Sequence, residues 1–133
     1  EPVDIMLYMI ISALGFAALE NFFILFPSTQ PFLFIEIFEI SVFRFVGATF
    51  LHALASGLIG YFLVLSFLKS KHRFILRYTG IIAATLLHGL YDFSIITIEG
   101  NSRFVIPIII LSALAVFISL GFKKVKKLKS ICL

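Results

Sequence analysis

Four apolar runs of about 20 residues dominate the sequence, and their length restricts the fold more than any other feature. A helix needs roughly 20 apolar residues to cross about 30 Å of hydrocarbon. The runs lie at about residues 5–26, 45–68, 78–98 and 104–122. Only 14% of the residues are charged, whereas soluble domains contain about a quarter. We therefore predict an all-α polytopic membrane protein, a bundle of four transmembrane helices that forms one membrane-embedded domain over residues 1–133.

The positive charges are divided unequally between the two ends of the predicted bundle. Nine of the eleven Lys and Arg residues lie in the 69–77 turn or in the C-terminal tail, and only Arg44 and Arg103 lie opposite. Because segments rich in Lys and Arg stay on the cytoplasmic side, both termini are predicted to be cytoplasmic in a multi-pass protein of the cell membrane. The net charge of +4 therefore reflects topology, and its two short clusters argue against a nucleic-acid partner.

Residues 32–43 form a fifth apolar segment that is too short to cross a bilayer. Glu36 and Glu39 lie three residues apart and would share one helix face. The segment is predicted to be an interfacial helix at the outer surface. Its glutamates would then be either a solvated edge of an apolar loop or part of an entrance for substrate.

Ionisable residues inside three of the runs are the strongest functional signal. An acidic residue at the centre of a membrane helix costs about 2.5–3.5 kcal/mol, so such residues are either well paired or functional. These residues are Glu20, His52, His88 and Asp92. Each lies six to ten residues from the outer end of its run, which places it about 9–15 Å below the surface at 1.5 Å per residue. Three helices are therefore predicted to bring polar groups to one level.

Small residues share the helix faces of these polar groups. His52 lies four residues from both Ala48 and Ser56, and His88 lies four residues from both Ala84 and Asp92. Small side chains on a membrane helix mark the face where a neighbouring helix approaches closely. The polar groups are therefore predicted to point into the bundle rather than toward lipid.

Two imidazoles and two carboxylates make a donor set that suits a divalent metal, with zinc as the expected ion and an open position for water. A thiolate cluster is excluded because Cys132 is the one cysteine. In another interpretation the histidines are packing residues and Asp92 holds His88 in one tautomer. Ser56 beside His52 is weak support for a serine nucleophile, because hydroxyls on helices usually bond to their own backbone.

Three segments resemble, in the same order, signature motifs of the PrsW intramembrane proteases. They are Phe16-Ala-Ala-Leu-Glu20-Asn21, His52-Ala-Leu-Ala-Ser56 and His88-Gly-Leu-Tyr-Asp92-Phe93. That family is similar to the wider group of CAAX-processing and bacteriocin-immunity proteases. The resemblance implies a metal-dependent endopeptidase in the lipid bilayer that cleaves a membrane-anchored protein, such as an anti-sigma factor, near the outer face.

The resemblance also implies roles for single residues. Active-site and metal-ligand positions fall on Glu20, His52, His88 and Asp92, and supporting positions fall on Asn21 and Ser56. The first motif of the family, a glutamate pair followed by a basic residue, does not occur in this sequence and is expected upstream of Glu1. If that pair supplies the general base, a chain without it would be folded and close to inactive.

Two functions from other classes fit the same residues. One is a non-catalytic scaffold or substrate-binding subunit with a polar pocket in the membrane. The other is a proton or ion pathway, because chains of acids and histidines also serve pumps. The pathway is less favoured, because the inner halves of the runs carry no comparable series of ionisable residues.

The division of charge predicts that position 28 lies outside the cell and position 70 inside it. In a Cys132→Ser background, Ser28→Cys should react with a membrane-impermeant maleimide in intact cells. Ser70→Cys should react only after the cells are permeabilised. Labelling of position 70 in intact cells would reverse the topology and would move the polar level to the cytoplasmic half.

Overall fold

The computed structural model describes residues 1–25 and 45–128, and these form a bundle of long helices. The four helices are α1 (Pro2–Leu25), α2 (Phe50–Leu68), α3 (Arg73–Thr97) and α4 (Val105–Val125). No strand occurs in the described part of the chain. Four helical segments, two of which begin before these bounds, are long and apolar enough to cross a membrane. The predicted class, an all-α protein with four spans, is therefore confirmed.

Three short helical turns lead into the long helices. A π-helical turn, Phe45–Thr49, precedes α2, and 3₁₀ turns at Ser70–His72 and Gly100–Phe104 precede α3 and α4. Helix α3 begins at Arg73, five residues before the predicted start of the apolar run. The apolar run marks only the part of the helix that lies in hydrocarbon. The first turns of α3 contain basic residues, whose long side chains can reach the membrane surface, so the helix can begin before the apolar run. The predicted interfacial helix at 32–43 lies outside the described residues.

Helix α2 is the centre of the bundle and packs against each of the other three helices. Half of the residues in the most apolar stretch of this span are buried, compared with 22%, 22% and 28% in the spans of α1, α3 and α4. Leu51, Leu58 and Val64 of α2 belong to the core, which α4 completes with Leu114 and Ile118. Large apolar side chains on α1, α3 and α4 are exposed, as expected of surfaces that face lipid.

Glycines allow α2 to approach its neighbours closely. A Cβ added to Gly60 would lie 2.9 Å from the Cα of Met6 in α1. A Cβ added to Gly80 of α3 would lie 2.7 Å from the Cβ of Phe62 in α2. Membrane helices associate through such van der Waals packing, because lipid chains leave no hydrophobic driving force between helices. The close packing at small residues that is expected of membrane helices is therefore observed at these two positions.

A hydrogen-bonded chain ties the first turns of α3 to the end of α2. Arg77 donates from Nε to the hydroxyl of Ser66 at 3.2 Å, and that hydroxyl donates to the carbonyl of Leu63 at 2.7 Å. The guanidinium also lies 5.4 Å from the ring centroid of Phe67. These contacts fix how α3 leaves the short turn after α2.

The Gly60 contact predicts a stability difference between two glycine substitutions. Gly60→Ala should lower the free energy of unfolding by about 1–3 kcal/mol, because backbone atoms of Met6 cannot rotate away from the new Cβ. Gly15→Ala is the control, since no atom lies within 4 Å of a Cβ at that site. It should be neutral or stabilising by up to about 1 kcal/mol. Equal unfolding free energies for both variants in detergent micelles would contradict this packing.

Candidate functional site

Helices α1 and α2 contribute the first imidazole–carboxylate pair of the site. His52 is buried, and its Nε2 lies 2.8 Å from Oε2 of Glu20. The glutamate side chain is 35% exposed, so the pair lies at the edge of the bundle core. In a region without bulk water, this contact partners both polar groups and offsets the cost of placing them in the membrane.

A second pair lies entirely on α3. Nδ1 of His88 lies 2.9 Å from Oδ2 of Asp92, one helical turn further along the same face. The aspartate side chain is half exposed, and the histidine is about a third exposed. This contact is the arrangement expected where a carboxylate holds an imidazole in one tautomer.

The two pairs meet through their imidazole rings. The ring centroids of His52 and His88 are 4.8 Å apart, with an angle of 65° between the planes. The ring of Phe16 from α1 meets His52 edge-on at 5.5 Å. Three helices therefore bring Glu20, His52, His88 and Asp92 to one place, as their common depth in the sequence predicted.

The carboxylate partners assign the ring protons of the two histidines. An ionised carboxylate only accepts hydrogen bonds, so the facing nitrogen must carry the proton. His52 then donates from Nε2 to Glu20, and His88 donates from Nδ1 to Asp92. In a neutral imidazole this leaves a lone pair on Nδ1 of His52 and on Nε2 of His88.

The two predicted supporting residues have different surroundings. Asn21 donates from Nδ2 to the hydroxyl oxygen of Thr49 at 3.0 Å, which joins α1 to the π-helical turn before α2. Ser56 lies on the wall of a cavity beside the histidines. Sequence reasoning missed Thr49, although its position three residues before His52 placed it near that helix face.

A cavity of about 440 Å³ opens beside the histidine pair. It is lined by Phe16 of α1, by His52, Ala55, Ser56 and Ile59 of α2, and by Ala84, Thr85, His88 and Gly89 of α3. Ser56 lies one turn and Ile59 two turns beyond His52, so the cavity extends along the bundle away from the carboxylates. A substrate group bound there would reach both imidazoles.

The donor types at the site fit a divalent metal. Imidazole nitrogen and carboxylate oxygen are both zinc ligands, and each histidine has a carboxylate partner of the kind that orients metal-binding histidines. Residues 1–25 and 45–128 contain no group of three His, Cys, Asp or Glu side chains that could hold a metal ion as they stand. His52 and His88, whose rings adjoin although they come from different helices, are the candidate ligands.

A four-span helical bundle with two imidazole–carboxylate pairs beside a cavity defines a polytopic membrane protein with a polar intramembrane site. The family model described as PrsW family intramembrane metalloprotease matches residues 1–122, nearly the whole chain. The chain therefore belongs to the PrsW family, and the resemblance carried by its three motifs is confirmed. No curated protein and no solved structure matches the chain.

The contact between Asn21 and Thr49 predicts an energetic coupling between α1 and the turn before α2. Thr49→Val keeps the shape of the side chain and removes the acceptor, and Asn21→Ala removes the donor. Hydrogen bonds between membrane helices contribute about 0.6 kcal/mol on average and up to about 1.7 kcal/mol. A double-mutant cycle of unfolding free energies should give a coupling in this range, and purely additive effects would contradict the bond.

Proposed function

We propose that this protein is a metal-dependent intramembrane endopeptidase that hydrolyses a membrane-anchored protein, such as an anti-sigma factor, near the outer face of the membrane. The observation that carries the proposal is the approach of two carboxylate-paired histidines from α2 and α3 to 4.8 Å between ring centroids. Membership of a family of intramembrane metalloproteases supports the reaction class. The cavity beside the histidines supports binding of a peptide there.

The two histidines are the proposed metal ligands. Nδ1 of His52 and Nε2 of His88 keep their lone pairs when the other nitrogens donate to Glu20 and Asp92. When bound, a divalent metal, with zinc as the expected ion, supplies polarisation of the scissile carbonyl and activation of water. The hydrogen-bonded carboxylates fix the orientation of the imidazoles.

The carboxylates also provide groups that can move a proton. General acid–base groups typically contribute a factor of about 10² to 10⁴ to a rate. Asp92 is half exposed and Glu20 about a third exposed, so both are accessible from the edge of the bundle. Whichever group takes the proton, Glu20 and Asp92 are proposed to hold the imidazoles.

A serine mechanism is less consistent with the geometry. A serine nucleophile needs a base within hydrogen-bonding reach of its hydroxyl. Ser56 lines the cavity, and within the described residues it has no hydrogen bond to His52 or His88. Its proposed role is therefore to line the binding cavity.

One observation favours a second candidate, a non-catalytic scaffold or substrate-binding subunit. A catalytic zinc usually has three protein ligands. The described part of the chain gathers no group of three side chains that could hold a metal. In this alternative the paired histidines and the cavity would bind a peptide segment without cleaving it.

Substitution of the histidines separates these two functions. In the full-length protein, His52→Ala and His88→Ala should each abolish cleavage of a membrane-anchored reporter and lower the bound metal measured by mass spectrometry. Glu20→Gln and Asp92→Asn should lower activity about 10- to 100-fold, as expected of groups that orient metal ligands. Cleavage that persists in the double histidine variant would reject the metalloprotease proposal.

Two controls belong to this experiment. His72→Ala changes the third histidine, which is exposed in the turn between α2 and α3, and it should leave both readouts unchanged. Ser56→Ala should reduce activity much less than the histidine substitutions. A loss after Ser56→Ala equal to that after His52→Ala would favour serine chemistry instead.

A further inference from the structure

Tyr91 belongs to the third motif, but the proposed chemistry assigns it no role. It precedes Asp92 and lies one turn after His88, yet its side chain is part of the hydrophobic core. Only 3% of it is exposed. Its phenol reaches Gly47 in the π-helical turn Phe45–Thr49. The motif therefore also supplies a packing contact between α3 and the segment that enters α2.

The hydroxyl oxygen of Tyr91 lies too close to Gly47 to leave room for a side chain at position 47. A Cβ added there would collide with the hydroxyl oxygen of Tyr91. The same Cβ would lie 3.6 Å from Cζ of that ring, which is ordinary van der Waals contact. The collision therefore depends on the hydroxyl oxygen and would disappear if phenylalanine replaced tyrosine.

The contact lies between the two halves of the site. On one side, Gly47 is two residues before Thr49, which accepts the hydrogen bond from Asn21 beside Glu20. On the other side, Tyr91 is flanked on α3 by the second imidazole–carboxylate pair. Single π-helical turns occur frequently at functional sites, where they change the direction of a helix. The tyrosine–glycine contact thus sets how far α3 lies from the turn that leads to His52.

We propose that Tyr91 is a positioning residue that acts through Gly47. Its phenol against the π-helical turn holds α2 and α3 at the separation where the imidazoles of His52 and His88 meet at 4.8 Å. The effect on catalysis rests on the proposed function, whereas the effect on the imidazoles does not. The two effects are measured separately below.

A neighbouring cavity makes the contact testable without unfolding the protein. An apolar cavity of about 370 Å³ adjoins the phenol and is lined also by Val46, Phe104 and Pro107. A ring displaced by a new Cβ at position 47 can move into this space. Gly47→Ala should therefore displace Tyr91, and with it the neighbouring residues of α3, while the bundle remains folded.

The experiment uses the full-length protein with ¹⁵N-labelled histidine in three variants: Gly47→Ala, Tyr91→Phe and the double variant. Ring ¹⁵N chemical shifts report the hydrogen bonds of His52 and His88, and spectra of His52→Ala and His88→Ala provide the assignments. The exposed His72 serves as the internal reference. Values of kcat and KM for cleavage of a membrane-anchored reporter are measured on the same samples.

Gly47→Ala should change the signals of His52 and His88 and leave that of His72 unchanged. It should lower kcat about 10- to 100-fold with little change in KM, because a displacement of about 1 Å in a site can have an effect of this size. The double variant should regain the signals and the kcat of Tyr91→Phe alone, since the collision is gone. This rescue distinguishes positioning from a general loss of stability.

A second tyrosine–glycine contact offers a matched control away from the site. A Cβ added to Gly121 of α4 would lie 3.1 Å from Cδ2 of Tyr61 in α2. Gly121→Ala and Tyr61→Phe should alter the unfolding free energy without moving the signals of His52 and His88.

Unchanged histidine signals in Gly47→Ala would overturn the proposal. A double variant whose histidine signals differ from those of Tyr91→Phe alone would also overturn it. If the unsubstituted protein cleaves no reporter, the proposed protease function fails, and the histidine signals still decide the positioning role. If cleavage is observed and Gly47→Ala has the kcat of the unsubstituted protein, positioning for catalysis is rejected while the protease proposal stands.

Discussion

Pairing of each imidazole with a carboxylate is the interaction on which the arrangement of this bundle depends. Four ionisable groups inside membrane helices would each carry a cost of a few kcal/mol without partners. Two contacts of 2.8 and 2.9 Å partner all four, and each uses one imidazole nitrogen. The contact between Glu20 and His52 forms only when α1 and α2 lie side by side at this level, so it makes both residues tolerable in the membrane and also helps to assemble the site.

The rest of the packing allows those contacts to form. Helix α2 is central because glycines allow close contacts on two of its sides. Gly60 of α2 lies against the backbone of α1, and Gly80 of α3 lies against Phe62 of α2. From Gly60 to His52 is eight residues, about two turns, so the contact with α1 continues along one face toward Glu20. Van der Waals packing of α1 against α2 therefore brings Glu20, rather than another carboxylate, to His52.

The sequence predicted the spans and the common level of the polar residues, because apolar length and distance along a helix are both readable from residue numbers. It also predicted that His88 and Asp92 share a face, since their spacing of four is local to one helix. It did not identify Glu20 as the partner of His52, or Thr49 as the partner of Asn21. These choices depend on the rotation and separation of different helices, which spacing within one helix does not define.

One imidazole–carboxylate pair lies within a single helix and the other joins two helices, so the two pairs form at different stages of assembly. The pair on α3 is one helical turn of a single helix, so it forms whenever that helix forms. The pair of Glu20 and His52 joins α1 to α2 and needs the bundle to be packed. The His88–Asp92 pair therefore depends on one helix alone, whereas the Glu20–His52 pair depends on packing between two helices. A change in the position of α1 would release Glu20 from His52 and leave His88 bound to Asp92, so the fit of α1 against α2 controls whether both imidazoles are oriented together.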